Sequence, residues 1–378
     1  MSEYTRFVGV DVSAKTIAVA VAEAGRMPVM DAGVRAADPA AVRKWVMRHP
    51  DRGTLLVCYE AGPTGYGLQR PVTALGVACA VTAPRLVPTR PTDRIKTHRR
   101  AAHHLADALR AGTLTPGWVP TEAEEAFRDW VRTRTMAVQV RQRARQRVKS
   151  TLLRWGLRPP GRSAAWGPAY RTRLRQVAPT PAPRDPVWVE LLSPLAEADG
   201  RVDRITRQRA TAWPGHPLAP LMRAWQGLRG IEWLTAATLA AAWGDLATFP
   251  PPRPVMAWVG LVPSEASSGV TRHQGGRTKT GHAPLRRILV EAAHSYRFRP
   301  RPDGAVGRRL AALGPWEPAV SAIRWRAQQR LHARLRTLQG RRGTPKVIAA
   351  VARKLCSYLW EIAVWVRVQP PGAVPPAA

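Results

Sequence analysis

The sequence predicts an α/β amino-terminal domain, then a long helical arm, then a mainly α-helical carboxyl-terminal domain. Over roughly the first 111 residues, apolar runs rich in β-branched residues alternate with helical segments, which is typical of α/β domains. A glycine-free, arginine-rich stretch follows at 121–155, and a third block with its own apolar segments begins after Pro214. We place the domains at 1–115, 116–213 and 214–368, with a disordered tail at 369–378.

In the first domain, residues 6–24 predict two strands joined by a tight turn at Asp11–Lys15, because β-branched residues lie on both sides of a polar break. Short apolar runs that end in turn residues predict buried strands. The remaining predicted elements are strands at 54–60 and 77–83, a helix ending at Leu75 and a helix over about 97–111.

Residues 121–155 and about 187–211 predict two long polar helices, and the Pro-, Gly- and Arg-rich stretch at 156–187 predicts a linker or exposed loop. Helices joined in this way favour an antiparallel coiled-coil arm. The alternative is a helical insertion packed on the first domain. In the third block, LRGIEWLTAATLAAA (228–242) resembles a helix-hairpin-helix element, and the alternative is an ordinary helix pair around Gly230.

The charge balance predicts a nucleic-acid partner. Lys and Arg number 59 against 25 Asp and Glu, a formal net charge of +34. Such a surface binds polyanions by releasing their counterions, and ordinary metabolic enzymes do not need it. Biased codon usage is an alternative, but it would exchange Lys for Arg without creating a surplus of cations.

Three cysteines without a CxxC pair argue against a structural zinc site or a disulfide framework. The sequence shows no signal-peptide pattern and no apolar run of membrane-spanning length. We therefore expect a cytoplasmic, nucleoid-associated bacterial protein without a membrane partner.

Two carboxylates follow predicted strands. Asp11 ends the first strand and Glu60 a later one. Carboxylates at strand ends can converge on one cleft in an α/β sheet, and Mg²⁺ takes such oxygen ligands. Taken singly, each residue could instead be a turn former or a helix cap. Together, in a basic α/β domain, they suggest a nuclease-like metal site.

Several motifs occur in a recognisable order: GVDVSAK, CYEAGPTGYGL, RIKTHRRAAHHLADALRAG, LRGIEWLTAATLAAAWGDL, GLVPSEASSG and GGRTKTGHAPLRRILVEAA. They resemble the transposases of insertion-sequence family 110, in which the element's own bridge RNA guides recombination. The resemblance runs from about residue 6 to residue 365. It implies a RuvC-like (ribonuclease-H-like) domain with an Asp-Glu-Asp-Asp metal site, then a coiled coil, then a transposase domain with a catalytic serine.

By this resemblance Asp11 and Glu60 are the first two acids, and the other two belong in a Lys-Thr-Asp-x-x-Asp-Ala motif. Residues 96–102 read KTHRRAA, so His98 and Ala101 occupy the expected third and fourth Asp positions. Histidine is a poor Mg²⁺ ligand, although it binds transition metals. We expect a weakened or lost Mg²⁺ site.

Two nearby aspartates could in principle replace the missing acids. Asp107 lies nine residues beyond His98, about 900° around a helix, and so faces the opposite side. Asp93 precedes the helix and would require a rearranged loop. We expect neither to complete the site.

The resemblance also assigns the serine before the glycine of SEASSG, Ser268, as the nucleophile that attacks a DNA phosphate, with Ser267 as the close alternative. Without the resemblance, a Ser/Gly-rich surface turn is the simpler interpretation. A serine hydroxyl needs help to lose its proton and to bear phosphate charge. Residues expected to contact nucleic acid are Arg272, Arg277, Lys279, Lys96, Arg99 and Arg100, and His282 could also neutralise the scissile phosphate.

The sequence thus predicts an RNA-guided transposase or recombinase that cuts and rejoins DNA, with impaired catalysis because two acids are replaced. Its expected partners are DNA, a bridge-type noncoding RNA and further copies of itself in a homodimer or homotetramer. Two alternatives stay open: an inactivated relative that only binds nucleic acid, and a RuvC-type metal-dependent nuclease without a serine step.

Overall fold

A computed structural model describes residues 4–49, 51–84, 87–88, 97–157, 166–177, 185–208, 215–244, 246, 252–302, 304, 307–308, 318–341 and 343–368. The chain forms two compact units that divide between Pro120 and Thr121. The second unit holds both the predicted arm and the predicted carboxyl-terminal domain, so the three-domain division stays a prediction. Lys96, Asp93, most of the basic loop at 85–94 and the tail at 369–378 lie outside the described residues.

The first unit is built on a mixed sheet with the strand order β3-β2-β1-β4-β5-β6. Strand β1 is antiparallel to β2 and parallel to β4. All four strands predicted from the sequence are present. Strand β3 was not predicted, because it is largely exposed and lacks an apolar run. The strands are β1 (Arg6–Val12), β2 (Thr16–Glu23), β3 (Met30–Ala36), β4 (Leu55–Glu60), β5 (Ala78–Thr82) and β6 (Pro116–Gly117).

In the described part of this unit, the α-helices beside the sheet are α1 (Pro39–Met47), α2 (Gln69–Thr73) and α3 (His98–Arg110). The predicted helix over 97–111 is confirmed, whereas the one ending at Leu75 is only five residues long because turns occupy the segment before it. Helix α1 was not predicted. The unit is mixed α/β with a central sheet, which is compatible with a ribonuclease-H-like fold.

Side-chain alternation along the strands explains how helices cover both sheet faces. Val8 and Val10 of β1 lie in one apolar cluster with residues of α1 and α2. Gly9, between them, faces the other side, where a Cβ atom would lie 2.2 Å from the carbonyl oxygen of Ala102. Only glycine lets α3 approach β1 this closely.

The second unit is mainly helical and carries a two-stranded hairpin. Its helices are α4 (Glu122–Arg154), α5 (Pro168–Arg175), α6 (Asp185–Arg207), α7 (Ala219–Trp225), α8 (Trp233–Trp243), α9 (Arg253–Trp258), α10 (Ala283–Ala293), α11 (Pro318–Gln339) and α12 (Thr344–Val368). The hairpin strands are β7 (Pro263–Glu265) and β8 (Gln274–Arg277). Among the described helices, none has the length and apolar character needed to cross a membrane.

Helices α4 and α6 pack against each other in antiparallel orientation. Arg134 Nε donates to Thr206 Oγ1 at 2.9 Å, and farther along α4 Arg145 Nη2 donates to Asp199 Oδ1 at 3.0 Å. The stretch at 156–187 was predicted to be a linker or exposed loop. Over Pro168–Arg175 this prediction was wrong, because these residues form α5. Tyr170 and Leu174 are buried in one cluster with side chains of α4 and α6. Their four-residue spacing is helical, but it is hard to recognise in a sequence dominated by Pro and Arg. The coiled-coil assignment stays a prediction.

The turn between α7 and α8 contains Gly230, which has a φ of +79°. A Cβ atom there would lie 2.7 Å from the Ala292 carbonyl oxygen of α10. Close packing of the turn on α10 accounts for this glycine without a nucleic-acid role, so the helix-hairpin-helix assignment also stays a prediction.

Candidate functional site

The first candidate region is the edge of the sheet where β1 and β4 end. These strands are parallel, and Val10 lies opposite Tyr59, so Asp11 and Glu60 follow at the same level on neighbouring strands. Two residues earlier, Gly9 and Cys58 both contact α3. Because side chains alternate along a strand, Asp11 and Glu60 project on that same α3 face. The register brings the two predicted carboxylates to one edge and one face of the sheet.

The first residue of α3 reaches this edge. Thr97 caps the helix by accepting a hydrogen bond from the Arg100 amide at 3.3 Å. The next residue, His98, places Nδ1 2.6 Å from Oδ2 of Asp11, with side chains that are 62% and 18% exposed respectively. This contact is an ion pair when the imidazole is protonated and a hydrogen bond when it is neutral. The residue at the expected third acid position therefore binds the first acid directly.

Ala101 lies one turn after His98 on α3. Cys58 Sγ donates to the Leu105 carbonyl oxygen at 3.6 Å, and α3 runs antiparallel to β1 and β4. From Leu105 back to Ala101 is about 6 Å along a helix, close to the roughly 6.6 Å from Cys58 to Glu60 along a strand. A carboxylate at position 101 would stand at the level of Glu60, where this chain has a methyl group.

The other charged residues of α3 do not complete the acidic set. Asp107 lies about 13 Å along the helix from His98 and accepts from Arg110 Nη2 at 2.7 Å. Arg99 pairs with Asp31 at 3.4 Å, and Arg100 is exposed. In the part of the chain that the structure describes, no group of three or more His, Cys, Asp or Glu side chains is placed to hold a metal ion. Within the described residues, Asp11 and Glu60 thus do not by themselves make up the several oxygen ligands that a hard divalent cation needs.

The second candidate region is the tip of the β7–β8 hairpin. Ser268 and Thr271 exchange two backbone hydrogen bonds, at 3.2 and 3.1 Å. Between them Gly269 adopts a φ of +57°, a left-handed conformation that favours glycine at a tight hairpin turn. Ser268 is exposed at this tip. The sequence predicted a turn here but not the hairpin that presents it.

The two neighbouring serines have different surroundings. Ser267 Oγ donates to Glu265 Oε1 at 3.0 Å and accepts from the His273 amide at 3.3 Å. Its hydroxyl thus holds the hairpin together. The described hydrogen bonds of Ser268 involve its backbone. Local geometry leaves the Ser268 hydroxyl available to an incoming group.

Glu265 organises the hairpin, and the sequence analysis missed it. Hydrogen bonds from Gln274, Ser267 and Arg272, in that order of importance, lower the pKa of its carboxyl group. The Gln274 amide lies 3.0 Å from Oε2, and Arg272 Nε lies 3.3 Å from Oε1. An available signal was that Glu265 is the one acid between Asp245 and Glu291 in a strongly basic stretch.

The basic residues beside Ser268 fall into two groups. Arg277 and Lys279 are exposed, whereas Arg272 is bound to Glu265. His282 was expected to help neutralise a phosphate, and this expectation was wrong. Its Nδ1 accepts from the Leu285 amide at 3.3 Å, so it caps α10. Burial, then the charges of Arg132 and Arg128, lower its pKa and favour the neutral imidazole.

Comparison with known proteins addresses both regions. Residues 8–155 match the family model of the IS110 DEDD transposases, described as a transposase. Residues 223–305 match the model described as the transposase IS116/IS110/IS902 family. The chain is 39% identical to a putative transposase, y4qE, of Sinorhizobium fredii, over 94% of this chain and 88% of that protein. The chain belongs to this family of insertion-sequence transposases.

A second relative is the transposase for insertion sequence element IS1533 of Leptospira borgpetersenii. It is 26% identical over 89% of this chain and 97% of its own length. The DEDD segment of our transposase contains Asp11, Glu60 and His98, and the second matched segment contains the hairpin with Ser268. DEDD transposases usually use a divalent metal ion, and at the sheet edge the described residues offer Asp11 and Glu60 as carboxylate ligands.

Proposed function

We propose that this transposase cuts and rejoins DNA with Ser268 as the nucleophile, guided by a bridge-type RNA of its own element, and that its carboxylate site is impaired. The observation that carries the proposal is the presentation of Ser268 at an exposed hairpin tip, with its hydroxyl outside the hairpin's hydrogen-bond network. The charge of +34 supports binding to DNA and RNA.

The proposed step is a phosphoryl transfer. Ser268 Oγ attacks a DNA phosphorus and loses its proton, a serine–phosphate ester forms, and the bond to one deoxyribose oxygen breaks. That oxygen takes up a proton and leaves as a hydroxyl. A hydroxyl of the partner DNA strand then attacks the ester, which rejoins DNA and releases the serine. The exposed cations Arg277 and Lys279 can stabilise phosphate charge during both steps.

Ser267 is the alternative nucleophile because a carboxylate oxygen of Glu265 lies 3.0 Å from its hydroxyl. Two features disfavour it. Its oxygen already accepts from the His273 amide, and the lowered pKa of Glu265 makes that carboxylate a weak base.

The proposed impairment rests on the contact between His98 and Asp11 and on the methyl group of Ala101. Mg²⁺ is the cation expected for the carboxylate pair, and we propose that this chain binds it weakly. Asp11 and Glu60 are the residues that would hold it.

The central experiment compares Ser268→Ala with Ser267→Ala, both made in the parent chain and in the His98→Asp/Ala101→Asp variant. Element-end DNA, Mg²⁺ and the cognate RNA are supplied. We expect Ser268→Ala to abolish covalent protein–DNA adducts on denaturing gels and Ser267→Ala to retain them. If adducts are lost only in Ser267→Ala, Ser267 is the nucleophile and the assignment of Ser268 is wrong.

The same experiment separates the rival functions. Metal-dependent cleavage without any adduct, unchanged by Ser268→Ala, would instead indicate a RuvC-type nuclease. Binding without cleavage in every variant would indicate an inactivated relative that only holds DNA and RNA. Omitting the RNA tests guidance, because a guided enzyme recombines only when its RNA is present. Mass measurement of the assembled complex tests the proposed homodimer or homotetramer.

A further inference from the structure

A basic groove of about 1000 Å³ lies between the hairpin and the helices of the second unit. The base of β8 forms one wall and α12 forms another, with contributions from α9 and α11. Seven Lys and Arg residues line it, and no Asp or Glu is among its described lining residues. The cations are Arg253, Arg277, Lys279, Arg334, Lys346, Arg353 and Lys354.

These cations are not neutralised by acids of the described residues, although the Lys354 ammonium lies over the Tyr358 ring, 5.8 Å from its centroid. Within the described part of the chain, none of the seven forms an ion pair with a carboxylate, whereas Arg272 and Arg287 nearby do. Six are exposed and Arg353 is half-buried. Like charges placed together without acids raise the free energy of the fold, so their grouping favours an anionic ligand.

The walls of the groove leave room for such a ligand. Gly276 lines it, and a Cβ atom there would meet no heavy atom within 4 Å. Pro345 and Lys346, at the start of α12, line the groove and also a second cavity of about 640 Å³, together with Arg341 and Gly343.

The length of the groove favours a polymer over a single anion. Lys346 and Lys354 are eight residues apart on α12, about 12 Å along the helix. Measured along the axis of duplex DNA, the phosphates of one strand recur about every 3.4 Å, so 12 Å laid along that axis matches roughly three to four of them. A small anion would leave most of the cations unpaired.

We propose that this groove binds the phosphate backbone of duplex DNA and positions the strand whose phosphate meets Ser268. Strand β8 forms the groove wall at Gln274–Arg277 and continues to the hairpin tip. Gln274 follows Thr271, which lies opposite Ser268, by three positions in the chain, a distance of at most about 11 Å. The groove wall at Gln274 therefore lies only a short way along the hairpin from the tip that carries the serine. The DNA assignment rests on the proposed function, while the anion site rests on the groove alone.

The test replaces three exposed groove residues on helices, Arg334, Lys346 and Lys354, with alanine. The matched control replaces three exposed arginines of α6, Arg201, Arg204 and Arg207, so both variants lose the same charge. Binding of a 40-base-pair duplex of arbitrary sequence is measured by fluorescence anisotropy from about 50 to 200 mM NaCl, and circular dichroism checks folding.

We expect the groove variant to bind duplex DNA on the order of 10²-fold more weakly at about 0.1 M salt. Its slope of log affinity against log salt should become shallower by about three, close to 0.9 for each lost phosphate contact. The α6 control should lose a few-fold at most. Equal losses in both variants would show that only net charge matters and would overturn the groove.

Two further arms separate this proposal from neighbouring ones. In the first, a structured RNA hairpin replaces the DNA duplex. If the groove variant loses affinity for the RNA but not for the duplex, the DNA assignment is overturned. In the second, Ser268→Ala should bind the duplex with parental affinity. If Ser268 proves not to be the nucleophile but the groove variant still loses DNA binding, the groove stands and only the proposed chemistry fails.

Discussion

The sheet edge and the hairpin tip position reactive groups in different ways. At the sheet edge, strand register and the packing of α3 on Gly9 fix Asp11, Glu60 and His98. At the hairpin tip, a local set of hydrogen bonds around Glu265 presents Ser268 to solvent. The first region keeps its backbone geometry even though two expected acids are absent. A site fixed by regular structure thus depends on strand register, whereas a local turn depends on its own side chains.

The largest predicted effect restores the missing acids. His98→Asp with Ala101→Asp should raise Mg²⁺-dependent strand cleavage on the order of 10²-fold, because misplacing reacting groups by about 1 Å costs that much in rate. The double change removes the imidazole from Asp11 and adds a carboxylate at the level of Glu60. Cleavage is measured with element-end DNA and the cognate RNA.

The matched control for restoration is His98→Asn with Ala101→Asn, which has the same shape without the charge and should stay near the parental rate. If the parent already cleaves as fast as the aspartate variant, another group completes the site. The proposed impairment would then be wrong.

A smaller effect tests how the sheet edge is built. Gly9→Ala should destabilise the first unit by about 2 kcal/mol, because the new methyl group meets backbone atoms of α3 that cannot rotate away. Gly53→Ala is the control, since a Cβ atom there meets no heavy atom within 4 Å. Hydrogen exchange of β1 and α3 amides gives the local stability. Equal protection in both variants would show that α3 does not depend on the glycine.

The smallest predicted effect concerns Glu265. Its hydrogen bonds lower the pKa of the carboxyl group, so the stabilisation they give is present above the ordinary value of 4.5 and is lost as pH falls through the lowered pKa. Carboxyl chemical shifts should therefore show a midpoint below 4.5, and Arg272→Ala should raise it. A midpoint at or above the ordinary value would mean that the network does not persist in solution.

Strong local patterns predicted the elements that follow them. β-Branched runs located β1, β2, β4 and β5, and helical composition located α3, α4 and α6. The exposed strand β3 and the helix α5 were missed, because an edge strand needs no apolar run and α5 buries only Tyr170 and Leu174. His282 was misjudged because its capping and burial depend on how α10 begins, which the sequence around it does not reveal.

The sequence by itself determined the family, the strand ends at Asp11 and Glu60, the charge of +34 and the replacement of two expected acids by His98 and Ala101. These follow from residue identity and local order. Tertiary structure alone decided that His98 binds Asp11, that Ser267 is engaged while Ser268 is presented at a tip, and that seven cations meet in one groove. Each of these joins residues far apart in the chain or depends on the orientation of a hairpin. Such distances are set by packing, which no local pattern contains.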